Sequence, residues 1–187
     1  MSWRSRPASG SFPRVCAALA LAGLTAGCFQ PLYATKSVNG ETPIGQALAQ
    51  VQVERIGAPN GTPDSRIAVN IQNNLDFELT GGGGMVSPTH RLSIRFSTNR
   101  SSIATDVTTG LVEAEITGID ATFTLTELAT GKTVLRATTF ARASSQYPGE
   151  QQRFARVRAR LDAEDRAAKI IAENIRNRLA SFFVAGT

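Results

Sequence analysis

At 187 residues, with 42% hydrophobic and 19% charged residues, the chain suits one ordinary domain preceded by a targeting segment. A mean hydropathy of −0.09 excludes both a multi-span membrane protein and wholesale disorder. The formal charge of +5 shrinks once Arg4, Arg6 and Arg14 are assigned to a removed leader, leaving 17 basic against 15 acidic residues; so thin a surplus speaks against nucleic-acid binding, which needs a dense basic surface to displace counterions.

Residues 1–14 carry those three arginines and no acid, Val15 to Leu24 form a short apolar run, and Thr25-Ala26-Gly27 precede Cys28. This is the order of a signal peptide, and the run falls short of the roughly 20 apolar residues a membrane span requires. Ala-Gly-Cys resembles the bacterial lipobox, with Thr25 at the place usually held by leucine and Leu24 one position earlier. The resemblance implies cleavage after Gly27 and acylation of Cys28 by diacylglycerol and an N-acyl chain, with no dissociable cofactor. Cysteine usage agrees, since Cys16 lies in the leader and the mature chain keeps only Cys28, which can form no internal disulfide. Acylation removes that free thiol, and several acyl chains, at about 0.8 kcal/mol per buried methylene, hold a protein firmly to a membrane. The expected division is a leader at 1–27, an acylated N-terminus and extended tether at 28–50, and a single α+β domain at 51–187.

Within the domain, Val51, Val53 and Ile56 suggest a short strand ended by the turn-rich Gly57 to Pro63. A helix follows, with Thr62 or Asp64 as N-cap, Pro63 in its first turn, and Ile67, Ile71, Leu75 and Leu79 as its buried stripe; Gly81 to Gly84 stop it. From Arg91 the period becomes two, with Leu92, Ile94 and Phe96 on one side and a basic outer row containing Arg91 and Arg95 on the other. Leu111 to Leu128 also reads as a strand, but its apolar set changes parity between Ile116 and Ile119, which suggests a bulge at Gly118. A tight turn at Ala129 to Lys132 leads into a strand at Thr133 to Ala143, where Val134 and Phe140 oppose Leu135, Ala137 and Ala141, as if both faces were covered. The last segment spaces Phe154, Val157, Leu161, Ala168, Ile171, Ile175, Leu179 and Phe182 as one stripe of an amphipathic helix of roughly 30 residues. Its charged residues, Glu164 among them, read as a solvated face with pairs such as Asp162–Arg166 and Asp165–Lys169. The order β-α-β-β-β-α predicts a two-layer α+β fold, two helices on one face of a four-stranded mixed sheet, with the first strand parallel to its neighbour.

Constellations for catalysis are missing from this reading. His90 is the one histidine, which excludes a His-pair metal site, and the mature chain has no second cysteine, HExxH or Walker motif. The four glycines lead to Met85-Val86-Ser87-Pro88 and a strand rather than to Gly-Lys-Ser/Thr and a helix, so they are a helix stop and loop, not a phosphate cradle. Glu113 with Glu115, and Asp162 with Glu164 and Asp165, are explained by pairing with arginine. The expected work is binding or assembly, with no metal.

Cys28-Phe29-Gln30-Pro31-Leu32-Tyr33 resembles the GC(G)FQPLY opening of alphaproteobacterial LPS-assembly lipoproteins of the LptE family, without the usual glycine after the cysteine. The similarity extends to Ser65-Arg66 and to the Asp165–Ala168 and Ile175–Leu179 segments of the last helix. It implies an outer-membrane lipoprotein on the periplasmic side that plugs and helps assemble the LptD β-barrel and binds lipopolysaccharide for insertion into the outer leaflet. If the later strands form a meander, the loops after Phe96 and Ala143 share one end of the sheet. Arg100, Arg142, Arg153 and Arg156 would gather there, either to meet lipid A phosphates through bidentate guanidinium pairs or only to solvate the surface or contact the barrel. The alternative is a stand-alone lipoprotein serving another envelope transport system.

Overall fold

The computed structural model describes residues 43–185 except 85, 106, 109, 111 and 148–152. The elements run α1 (Ile44–Ala49), β1 (Val51–Val53), α2 (Pro63–Thr80), β2 (His90–Thr105), β3 (Val112–Glu127), β4 (Thr133–Gln146) and α3 (Arg153–Ala185). Four strands in the order β1-β2-β3-β4 make one mixed sheet, with β1 parallel to β2 and the rest antiparallel, as the element order predicts. Cys28 and most of the expected tether lie outside the described residues. The tether's end does not stay extended to residue 50: α1 winds there because Leu48 enters the core, 2% exposed.

Local chemistry sets the ends of α2. Thr62 accepts a hydrogen bond from the Ser65 amide, Pro63 occupies the first turn, and Gly81, at φ 64°, closes the helix by donating its amide to the Phe77 carbonyl at 2.8 Å. Ile67, Ile71, Leu75 and Leu79 are all buried, together with Ala68. They pack with α3, whose Ala163, Ala167, Ala168, Ala172 and Ala180 are buried beside Ile171, Ile175 and Leu179. Small side chains at these positions let the two helix backbones approach. Beneath them lie Leu92 and Ile94 of β2, Ile119, Ala121, Phe123 and Leu125 of β3, and Leu135, Ala141 and Ala143 of β4.

Three strand expectations change. β2 and β4 continue past Phe96 and Ala143 to Thr105 and Gln146. The pairing of β3 runs unbroken through Gly118, with register shifts instead near Ser102–Thr105 and at Leu125/Thr126. No bulge is needed at Gly118, because Glu115 and Thr117 take the helix-facing positions and Ala114 and Ile116 fall on the other face. Among the described residues β4 is covered on one face only: Val134 and Phe140 point to solvent, Phe140 at 67% exposure.

Because the core concentrates where α2, α3 and the sheet meet, Leu75→Ala and Ile171→Ala are each expected to cost about 2 to 5 kcal/mol. Urea titration followed by circular dichroism measures this, while Val69→Ala on the exposed side of α2 stays near wild type.

Candidate binding surfaces

Two polar constellations sit on opposite faces of the sheet near its β2–β3 hairpin end. The first lies between the layers. Glu164 occupies the apolar phase of α3, four residues before Ala168 and three after Leu161, and is 1% exposed rather than solvated. Its Oε1 accepts from Arg100 of β2 at 2.7 Å and its Oε2 from Arg66 of α2, so one carboxylate ties three elements together. Arg66 also reaches Asp165, which accepts from Asn70 at 2.6 Å. Asp165 therefore pairs across to α2 instead of along its own helix to Lys169, and Lys169 turns to Glu173. The expected Asp162–Arg166 pair forms at 2.8 Å. Further toward the hairpin end, Glu115 accepts from the Tyr147 hydroxyl at 2.7 Å and from Arg160 at 3.3 Å, while Ser145 donates to Tyr147. This confirms that arginine neutralises that carboxylate.

The second constellation lies on the uncovered face. Asn99, Gly118 and Arg142 form one rung across β2, β3 and β4. Arg142 donates twice to Asp120, at 2.9 and 3.2 Å, and Asn99 donates to the same carboxylate at 3.0 Å. A Cβ at residue 118 would lie 2.3 Å from Asn99 Oδ1 and 3.0 Å from Arg142, so glycine is what lets both side chains close over β3. Arg142 also stacks on Phe140, 5.5 Å from the ring centre. Beside this group is a shallow groove of about 370 Å³ lined by Arg95, Ser97, Asp120, Thr122, Thr138 and Phe140.

The four arginines singled out from the sequence therefore do not form one site. Arg100 faces the helices and is held by Glu164, whereas Arg142 faces the other way, because strand alternation separates residues in adjacent rungs. Arg156 stacks on Tyr147 at 5.1 Å and donates to the Val112 carbonyl at 3.4 Å, on the helix side of the hairpin end. Arg153 begins α3, and its side chain lies outside the described residues. Tyr147 escaped sequence reasoning, Glu115 was expected only to pair with an arginine left unspecified, and Arg66 entered only through the similarity at the start of α2, with no partner assigned. For Glu164 the signal was present, since it falls in the stripe's own spacing.

His90, at the opposite end of β2, packs edge-on against Phe183 with ring centres 5.3 Å apart and pairs with the Thr89 hydroxyl at 2.8 Å. Burial holds its pKa below the ordinary value, outweighing the upward pull of Glu127.

These surfaces define a class: a small two-layer α+β module whose sheet is sealed by helices on one side and polar and open on the other. No protein-family model matches the chain, and no curated protein matches it in sequence. Its fold is similar to solved structures of small bacterial lipoproteins. A protein described as a lipoprotein from Caulobacter crescentus CB15 superposes with a TM-score of 0.58 at 18% identity, over 76% of this chain and 96% of that one. A minor lipoprotein from Acinetobacter baumannii superposes with a TM-score of 0.50 at 14% identity, over 70% of this chain and 88% of that one. The rare lipoprotein B from Shewanella oneidensis gives 0.47 at 16% identity, over 72% and 96%.

Removing both guanidinium groups (Arg66→Ala/Arg100→Ala) strands a buried carboxylate and is expected to destabilise by about 3 to 5 kcal/mol, more than Glu164→Gln, which leaves two partly exposed arginines for water to solvate. Denaturant unfolding at neutral pH ranks the two. For His90, a depressed folded pKa means that the unfolded chain binds the proton more readily. Stability is then complete above the ordinary histidine value, near 6.5, and declines as pH falls through the folded value. Melting temperature followed from pH 7.5 to pH 5 should drop less in His90→Asn than in wild type.

Proposed function

We propose that this chain is an outer-membrane lipoprotein of LptE type, acylated on Cys28 and exposed to the periplasm, which acts without catalysis as the plug and assembly partner of an LptD-like β-barrel and contacts lipopolysaccharide. The observation that carries the reading is the open sheet face. Its outward residues on β2, β3 and β4 are chiefly arginine, serine, threonine and asparagine, from Arg91 to Asn99, Asp120 to Thr126 and Arg136 to Arg142. A free-standing two-layer domain has no need of a third layer over such a face, and a large barrel presents a polar, water-filled lumen that matches it. Support for the anchor comes from the Ala-Gly-Cys28 signal, and support for the family from Phe29-Gln30-Pro31-Leu32-Tyr33. The shared fold with bacterial lipoproteins is consistent with both. Arg153 and Arg156, at the hairpin end, are the arginines proposed to meet lipid phosphates, because Arg100 and Arg142 are each committed to a carboxylate.

Gentle detergent extraction of the tagged native protein should recover a large β-barrel in equal amount, and mass spectrometry should find residue 28 as a triacylated N-terminus. Recovery of the acylated protein alone favours the stand-alone envelope lipoprotein instead. An unmodified Cys28 or a retained leader overturns the anchor itself.

A further inference from the structure

The sheet ends in a long free edge. β4 is an outer strand of 14 residues, paired on one side to β3 and on the other to no strand among the described residues. Alternation decides which of its backbone groups are left over. The Tyr147 amide donates to the Glu113 carbonyl at 2.7 Å, which continues the β3–β4 register and assigns the odd-numbered residues of β4 to bonds with β3. The N–H and C=O groups of Val134, Arg136, Thr138, Phe140, Arg142 and Ser144 therefore point outward, and these residues are all exposed. Such a row is a template for another strand.

Side chains of α3 occupy two of the outward carbonyls. Arg166 donates to the Ser144 carbonyl at 2.7 Å and Asn174 to the Phe140 carbonyl at 3.4 Å, the same amide also reaching the Thr139 hydroxyl at 3.1 Å. The spacings match, since eight residues of helix rise about 12 Å and four residues of strand about 13 Å. Neither side chain belongs to the buried stripe of α3, and Arg166 is half-exposed. At an open edge water satisfies a carbonyl as well, so what these two residues change is access.

We propose that Arg166 and Asn174 guard the β4 edge against a second copy of this chain, whose own β4 would otherwise add antiparallel across a two-fold axis at Phe140. The strand is self-complementary in that register. Phe140, 67% exposed, meets its own copy, Arg142 meets Thr138 and Ser144 meets Arg136, so no like charges stand directly opposite. An axis at Thr139 would instead set Arg136 against Arg142. In the Phe140 register the guarded carbonyls of Phe140 and Ser144 are the acceptors for the second copy's Phe140 and Arg136 amides. Arg166 and Asn174 thus hold acceptors that the added strand requires. This concerns the chain before any partner joins it and is independent of the barrel reading.

The full acylated protein, purified in detergent without partners, is expected to sediment as one chain. Arg166→Ala/Asn174→Ala should dimerise at concentrations about tenfold lower than wild type requires, with its circular dichroism unchanged. Cys28 is the one cysteine of the mature chain, so an added thiol maps the contact. In the double variant a short thiol cross-linker should join copies carrying Phe140→Cys but not copies carrying Ser97→Cys, which would lie five strand spacings apart on the same rung, about 24 Å. Thr138→Pro, which removes an outward N–H and no bond to β3, should return the double variant to the monomer. A double variant no more dimeric than wild type overturns the proposal. So does a dimer that survives Thr138→Pro or cross-links through Ser97→Cys, and so does a wild-type background that cross-links through Phe140→Cys to the same extent. Loss of the helical signal in the double variant also overturns it, because the two residues would then serve the fold rather than the edge.

Discussion

A 33-residue helix with a long apolar stripe, interrupted at Glu164, has to find cover along about 50 Å, and this domain supplies that cover unevenly. The sheet runs beneath most of α3, but α2, at 18 residues, flanks only its later part. From Ala167 to Ala180 the stripe is apolar and buried. At Glu164, near the start of α2, the stripe becomes polar and is satisfied by two arginines. Before Leu161 it projects beyond α2 and remains apolar. Core, ion triplet and exposed tip are thus consequences of one mismatch in length.

The triplet itself does more for geometry than for net stability. Taking a carboxylate out of water costs several kcal/mol, and an apolar residue of similar size could occupy the same place without that penalty. What Glu164 adds is register. Its two oxygens accept from α2 and from β2, so α3 cannot slide by a turn without leaving a buried charge unpaired. Asp120 performs a similar task on the other face, where Arg142 and Asn99 close over Gly118. Each constellation spends arginines on carboxylates of the same chain, which is why residue type alone is a poor guide to ligand contact here.

A domain whose core is closed by helices on one side of its sheet leaves a broad polar surface on the other. Hydrophobic burial on the helix side completes the core, and the opposite face carries mainly polar side chains. The fold is one that small bacterial lipoproteins share, at sequence identities too low for detailed comparison of surfaces.

Much of the fold was legible in the chain. The α2 stripe, its Thr62 cap and Gly81 stop, the meander, the parallel first strand and the length of α3 follow from short-range periodicity and turn chemistry, which act between residues a few positions apart. The motif around Cys28 is equally local, and it remains a matter of sequence. Other features required the tertiary structure. Leu48 drew the end of the tether into a helix, Gly118 proved to be a gap for neighbouring side chains instead of a bulge, and Arg100 and Arg142 parted to opposite faces. Glu164 became a buried ligand of two arginines, while Phe154 and Val157, indistinguishable by spacing from the core residues of the same stripe, were left uncovered. Periodicity tells which side of an element is apolar, but the cover that side receives depends on where distant elements begin and end.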